Sequence, residues 1–310
     1  RVVQYGDKEN FSNKAEVAVL ADGGKLLVKS GVNISGSLHA TNEGNIELRS
    51  GDGMTVMGDL IADKNAKIKL VSNQGNIYNV DLDSNVSTDA TGEVILDFTN
   101  SGLLKNKWEG DNNGNTQLVM GNGEWRGNNN GNITASLVNS STWTGTNTGN
   151  NATISLTDSS WSGDNSGANV TITANNSKWN GNANAAGSAV LTNGSIWTGA
   201  STSGDFSLTL NNSTWNNSGA SSLKSFNGTN GIVDMTNAAA SVTIGSYSGD
   251  ATVIYKHNSS NPAEVHGGNF TVNKAAANSK ITMLTDNTGV DTTDEDKINE
   301  ALDALAGKLF

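Results

Sequence analysis

Residues 139–167 read NSSTWTGTNTGNNATISLTDSSWSGDNSG, a stretch with two tryptophans in the same Ser-x-Trp-x-Gly context. The whole chain has seven tryptophans, and consecutive ones are 17 or 18 residues apart. They are Trp108, Trp125, Trp143, Trp161, Trp179, Trp197 and Trp215. A fixed period of this length indicates a repeat architecture in which each repeat stacks on its neighbours.

The residues between the tryptophans predict β-strands. Gly, Asn, Ser and Thr are frequent there and form helices poorly, whereas apolar and polar residues alternate, as around Ile154 and Leu156. Upstream, segments that begin at Gly36 and Gly58 repeat this alternation with a period of 22 residues. Short strands that recur at such a period predict an all-β fold, a parallel β-helix, over residues 1–290.

The neighbours of the tryptophans predict which way the indoles point. Thr142 and Thr144 flank Trp143, and most other tryptophans also have polar or charged residues on both sides. If the indoles faced solvent, these side chains would face the interior, where unpaired polar groups are costly. The seven tryptophans are therefore predicted to form a buried structural stack. The many turn asparagines are predicted to adopt left-handed backbone and to form amide ladders between turns.

The end of the chain has a different pattern. Over residues 291–310, Ile298, Leu302 and Leu305 recur at helical spacing, which predicts a short amphipathic helix. Thr292 or Thr293 is the expected N-cap. Because the chain ends on two apolar residues, we expect it to be truncated before further β-helix or a translocator barrel.

The composition argues against several classes of partner. The net charge is −11 and the isoelectric point is about 4.6, which disfavours nucleic acid and anionic membrane surfaces. No cysteine is present, so no disulfide framework is expected. No stretch approaches the ~20 apolar residues of a membrane span, so this fragment is not expected to insert directly into a membrane.

Signatures of catalysis and metal binding are scarce in the sequence. His39, His257 and His266 are far apart, and no two have metal-ligand spacing. The stretch from Asp111 begins like a calcium loop, but Asn122 stands at the twelfth position, where a Glu is needed. We therefore expect no enzyme activity, no cofactor and no metal. The stretch VHGGNF at 265–270 is the only hint of a polysaccharide hydrolase or lyase, which stays the enzyme alternative.

Four of the repeats have a recognisable form: STWTGTNTG (141–149), SSWSGDNSG (159–167), SKWNGNANA (177–185) and STWNNSGAS (213–221). They resemble the passenger domains of bacterial autotransporters, in particular adhesins of the AIDA and antigen 43 type. The resemblance implies a right-handed three-stranded parallel β-helix that is displayed at the bacterial outer membrane, outside the cell. It also implies attachment to host extracellular matrix proteins or glycans, or bacterial aggregation and biofilm formation through contact between like chains.

The polar residues near the tryptophans are predicted to form a binding face along the side of the β-helix. For an anionic glycan such as a glycosaminoglycan, the candidates are the nearby cations Lys105, Lys107, Arg126 and Lys178. For a fibronectin-like matrix protein, the candidates are turn residues that follow the tryptophans, Asp111, Asn129, Asn147, Asp164 and Asn165. Host adhesion is the favoured function, and self-association of the chain is the main alternative.

Overall fold

The computed structural model describes residues 17–29, 31–51, 53–72, 79–99, 104–258, 261–286 and 293–309. The fold is nearly all β, 62% strand and 4% helix, and forms a parallel β-solenoid of about 12 turns. The predicted parallel β-helix is therefore confirmed. Clustering of the chain gives two compact units, Arg1–Gly163 (unit 1) and Asp164–Phe310 (unit 2).

Unit 1 is built from turns whose strands belong to three ladders of parallel strands. The first ladder holds β1 (Val17–Asp22), β4 (Ser37–Thr41), β7 (Leu60–Ala62), β10 (Val86–Thr88) and β13 (Asn112–Asn113). The second holds β2 (Lys25–Val28), β5 (Asn45–Arg49), β8 (Lys67–Val71), β11 (Glu93–Phe98), β14 (Asn115–Gly121), β16 (Asn132–Val138) and β18 (Ala152–Thr157). The third, here called the tryptophan ladder of unit 1, holds β3 (Val32–Ser35), β6 (Met54–Met57), β9 (Val80–Asp83), β12 (Asn106–Glu109), β15 (Gly123–Arg126), β17 (Thr142–Thr144) and β19 (Ser160–Ser162).

Unit 2 has the same kind of ladders. One contains β20 (Val170–Asn175), β22 (Gly187–Thr192) and β24 (Phe206–Asn211), and its tryptophan ladder contains β21 (Lys178–Asn180), β23 (Ile196–Gly199) and β25 (Thr214–Asn217). The long strands β26 (Ala220–Asp234) and β27 (Ser241–Asn258) continue the ladders. Three more strands pair with β27, β28 (Asn261–His266) antiparallel, and β29 (Phe270–Val272) and β30 (Lys280–Asp286) parallel.

The predicted C-terminal helix is α1 (Glu295–Ala306), which packs against β28 and has Ala301 and Leu305 as its buried residues. Its N-cap is Asp294, whose carboxylate accepts hydrogen bonds from the backbone N–H groups of Asp296 and Lys297. The prediction of Thr293 as the cap is therefore wrong, and Thr292 lies outside the described residues. A carboxylate serves this position well, because its charge also interacts favourably with the positive end of the helix.

The seven tryptophans lie inside the solenoid, each at most 1% exposed, as their polar neighbours predict. Within unit 1 the rings of Trp108, Trp125, Trp143 and Trp161 stack with centroid distances of 4.4–4.5 Å. Within unit 2 the rings of Trp179, Trp197 and Trp215 stack at 4.9–5.0 Å. Parallel strands place each tryptophan beside the next one in register, so the strand spacing sets the ring spacing.

Candidate binding face

The solvent side of the tryptophan ladder of unit 1 presents two columns of residues, here called the tryptophan face. Because strand residues alternate between the two sides of a sheet, the neighbours of each buried tryptophan point outward. One column runs Lys107, Glu124, Thr142 and Ser160. The other runs Glu109, Arg126, Thr144 and Ser162.

Charged residues occupy one part of the tryptophan face, and its two cations are paired. The Lys107 Nζ atom lies 2.9 Å from a carboxylate oxygen of Glu109, and the Arg126 Nε atom lies 2.7 Å from one of Glu124. Hydrogen bonds to these carboxylates raise the pKa of Lys107 and of Arg126. In the preceding turn, two further carboxylates are in register with this patch, Asp81 with Lys107 and Asp83 with Glu109. The patch therefore holds four carboxylates and two cations, and each of the two cations is neutralised by an ion pair within the patch.

The other two predicted cations are Lys105 and Lys178. Lys105 is exposed just before β12, and its backbone carbonyl accepts a hydrogen bond of 3.0 Å from the Asn79 side chain. Lys178 is exposed on β21 of unit 2, in register with Ile196. Lys105, Lys107 and Arg126 all belong to unit 1, but Lys107 and Arg126 are each paired with a carboxylate, so these three cations do not form the unpaired basic cluster that an anionic glycan favours.

Hydroxyl groups occupy the remaining part of the tryptophan face. Thr142 and Ser160 are half-buried, whereas Thr144 and Ser162 are exposed. These four side chains are in register on β17 and β19. Each hydroxyl both donates and accepts hydrogen bonds, so the region can contact polar groups of either kind on a partner.

Asn129, Asn147 and Asn165 are fully buried, so the prediction that they contact a protein partner is wrong. In unit 1 the Asn112 amide donates to the Asn129 side-chain oxygen at 2.6 Å, and the Asn129 amide donates to that of Asn147 at 2.5 Å. In unit 2 the Asn165 amide donates to the carbonyl of Gly167 at 3.2 Å. The three asparagines thus form the amide ladder and turn contacts that the repeat also predicts.

Asp111 and Asp164 are half-buried, and each holds the adjacent turn in place. An oxygen of Asp111 accepts a hydrogen bond of 2.7 Å from the backbone N–H of Asn128. An oxygen of Asp164 makes the same contact at 2.7 Å with the N–H of Asn182. Both carboxylates are accessible in part, but their first role is structural.

The structure brings together His39, Asp63 and Thr41, a cluster that the sequence-based predictions do not include. Asp63 accepts hydrogen bonds from Thr41 and, at 3.0 Å, from His39, and these contacts lower the pKa of Asp63. The signal was available, because Thr41 and Asp63 are 22 residues apart, the upstream repeat period. Since the carboxylate sits between the hydroxyl and the imidazole, the histidine cannot activate the threonine as a nucleophile.

The VHGGNF stretch, 265–270, binds the end of the chain. The Lys308 ammonium donates to the Gly267 carbonyl at 2.6 Å, and the Tyr255 hydroxyl donates to that of Gly268 at 3.0 Å. Its two glycines are thus occupied with internal contacts. No group of three or more His, Asp or Glu residues suited to a metal occurs among the described residues. The same residues include no helix with the length and apolar character needed to cross a membrane.

Comparison with known protein families, with curated proteins and with solved structures finds no match for this chain.

Proposed function

We propose that this chain is an adhesin module of the autotransporter passenger type, displayed at the bacterial cell surface, whose tryptophan face in unit 1 binds an extended segment of a host matrix protein. The observation that carries this proposal is the register of the face. Lys107, Glu124, Thr142 and Ser160 stand in one column, and a second column runs beside it. A partner chain that lies along the face meets polar groups at every strand spacing, and many weak contacts add to a useful affinity.

The buried residues supply the rigidity that such a face needs. Stacked tryptophans and the asparagine ladder fix each strand against the next, so the outward side chains keep their positions before a partner arrives. A preorganised surface loses less conformational entropy on binding than a mobile one. A rigid, polar face of this kind suits recognition of an extended partner without a single deep pocket.

The charges favour a protein over a glycosaminoglycan as the partner. Lys107 and Arg126 are already paired with Glu109 and Glu124, and two further carboxylates lie in the neighbouring turn. An anionic polysaccharide would be repelled by this excess of carboxylates, whereas a peptide segment with basic residues would be attracted. Binding is therefore expected to weaken as the salt concentration rises.

The test uses surface plasmon resonance with immobilised fibronectin, collagen, laminin and heparin. The variant T144K/S162K places two cations at exposed positions on the tryptophan face, where they would repel a partner segment with basic residues. The matched control T134K/T153K places two cations at exposed, register-paired positions on β16 and β18, away from this face. We expect the first variant to weaken binding to a matrix protein by about tenfold or more, and the control to bind like the parent chain.

Two results would contradict the proposal. Equal losses in both variants would show that the tryptophan face has no special role. Binding to heparin alone, with no matrix protein retained, would favour the glycan alternative.

A further inference from the structure

The solvent side of the tryptophan ladder of unit 1 continues beyond the charged pairs onto two earlier strands. On β9 it presents Asp81 and Asp83, and on β6 it presents Thr55 and Met57. The two aspartates and Thr55 are half-buried, whereas Met57 is 37% exposed. An acidic strand therefore stands between an exposed apolar residue and the ion pairs of the tryptophan face.

Asp83 faces a second carboxylate across the sheet. In register it lies between Met57 on β6 and Glu109 on β12. Two like charges directly opposite each other on neighbouring strands are destabilising. Glu109 also holds the Lys107 ammonium at 2.9 Å, and the repulsion from Asp83 acts on the opposite side of Glu109 from Arg126. A further cation placed beside both carboxylates would relieve this repulsion.

Asp81, two residues earlier on β9, has different neighbours. It lies between Thr55 and Lys107 in register, and Lys107 is attracted to it. A cation that approaches Asp81 would meet the ammonium of Lys107, which repels it. The two aspartates therefore differ as anchors for a basic side chain, and the register favours Asp83.

Met57 supplies apolar surface next to Asp83. Lysine and arginine side chains bury their methylene stems against apolar groups and keep the charged head at a polar group. Met57, Asp83 and Glu109 are the last residues of β6, β9 and β12, so they form one short column. The stem of such a side chain can lie on Met57 while its head lies between the two carboxylates.

The turns that follow β6 and β12 add negative charge near this column. They contain Asp59 and Asp111, which are half-buried. Each accepts a hydrogen bond from a neighbouring turn, from the Asn85 side chain at 3.2 Å and from the Asn128 N–H at 2.7 Å. These two carboxylates hold the turns, and their charge also favours the approach of a cation to Asp83.

We propose that Met57, Asp83 and Glu109 form the anchor subsite of the tryptophan face, which takes a lysine or arginine side chain of the bound segment. This inference rests on the proposed function, because it names the residue type by which the protein partner is held. The charge of the subsite is complementary to a basic side chain and unfavourable for an acidic one.

The strand spacing sets where the next contact of the segment falls. From β9 across β12 and β15 to β17 the face covers three strand spacings, about 14 Å, and an extended chain advances about 3.3 Å per residue. Residues four positions apart in an extended segment point to the same side. A hydrogen-bonding residue four positions from the cation therefore reaches the exposed hydroxyl of Thr144.

The test measures binding of dye-labelled synthetic peptides to the full chain by fluorescence anisotropy. The first peptide, GTKTSTNTG, has a lysine and an asparagine four residues apart. Two matched peptides carry acetyl-lysine or glutamate in place of the lysine. We expect the lysine peptide to bind at least about tenfold more tightly than either of the others, and to do so equally well in the presence of EDTA.

Three variants of the chain locate the anchor. D83N should weaken binding of the lysine peptide by about tenfold, whereas the matched control D81N, on the same strand, should stay within about threefold of the parent. D83K should bind the glutamate peptide more tightly than the lysine peptide. This reversal is a result that a loss of structure would not produce. Circular dichroism checks that all three variants fold.

The outcomes separate the anchor subsite from the proposed function. Absence of peptide binding, equal binding of the lysine and acetyl-lysine peptides, or equal losses in D83N and D81N would overturn the subsite, even where T144K/S162K weakens binding to a matrix protein. Loss of binding in EDTA would assign the contact to a metal ion and overturn it as well. A parent chain that binds the peptides as expected but retains no matrix protein would support the subsite and contradict the proposed function.

Discussion

The indole Nε1 of Trp143 donates a hydrogen bond of 2.9 Å to the carbonyl oxygen of Gly127, in the preceding turn. Trp125 makes the same contact with Gly110, and Trp161 makes it with Gly145. The indole can therefore be buried with its polar group satisfied. The same carbonyl explains why a Gly follows each of these tryptophans after two residues. A Cβ on that Gly would clash with the carbonyl oxygen that the indole binds.

The glycine position gives a first prediction. A Cβ on Gly145 would lie 1.8 Å from the Gly127 oxygen, so Gly145→Ala must displace one turn from the next. We expect a loss of at least ~2 kcal/mol in the free energy of unfolding, as for overpacking of a core. The measurement is urea unfolding followed by tryptophan fluorescence.

The control for this substitution is Gly204→Ala. A Cβ on Gly204 would meet its nearest neighbour, the Ser222 hydroxyl, at an ordinary 3.4 Å. We expect this variant to unfold within about 0.5 kcal/mol of the parent. If both alanines had the same small effect, the close approach of the turns would not constrain the repeat.

The buried asparagine ladder gives a second prediction. In Asn129→Asp a carboxylate replaces an amide that donates to the Asn147 side chain and to the Gly131 carbonyl. Burial of a carboxylate that cannot donate these hydrogen bonds should cost on the order of 3 kcal/mol in the free energy of unfolding at neutral pH. The pKa of the new carboxyl should be raised in the folded state, so the folded state binds more protons than the unfolded chain. The loss should therefore shrink as the pH falls, as chemical unfolding at several pH values will show.

Asn130→Asp is the matched control, one residue along. The Asn130 side chain is exposed and donates to the Asn113 side chain at 2.9 Å. We expect its effect to stay below about 1 kcal/mol and to vary little with pH. A larger loss for Asn130→Asp than for Asn129→Asp would contradict the role assigned to the buried ladder.

Asp89 gives a third prediction, on titration. The N–H groups of Lys64, Thr91 and Gly92 and the Thr91 hydroxyl donate to its carboxylate. These hydrogen bonds lower the pKa of Asp89 from 3.8 to about 2, and the one from the Lys64 N–H has the largest effect. Because the folded pKa is the lower one, the contribution to stability is complete above pH 3.8 and is lost as the pH falls towards about 2. Carboxyl carbon shifts in NMR will give the midpoint.

The variant Thr91→Val tests the cause of this shift. It removes the hydroxyl donor and keeps the backbone donors, so the pKa of Asp89 should move part of the way back towards 3.8. A midpoint already near 3.8 in the parent chain would show that the turn does not hold the carboxylate as described.

The period and the alternation of residue types were enough to predict the solenoid and the inward tryptophans. The same alternation could have placed the asparagines, because Trp143, Gly145 and Asn147 are two residues apart and share a side. Asparagine is also the common residue of exposed turns, and that association led to the wrong assignment of Asn129, Asn147 and Asn165. The position of a residue in the repeat was more informative than its type.

The ion pairs of the tryptophan face follow the same rule. Lys107 and Glu109 are two residues apart on one strand, as are Glu124 and Arg126, so each pair shares a side of the sheet. The expectation of a glycan site rested on the cations alone and left out the acidic residues two positions away.

Tryptophan fluorescence of the native chain tests the central claim, that interior columns of indoles hold the exposed faces in register. We expect a single blue-shifted emission band that acrylamide quenches poorly, because all seven rings are at most 1% exposed. A red-shifted band that acrylamide quenches freely without unfolding would place the indoles in water and contradict it.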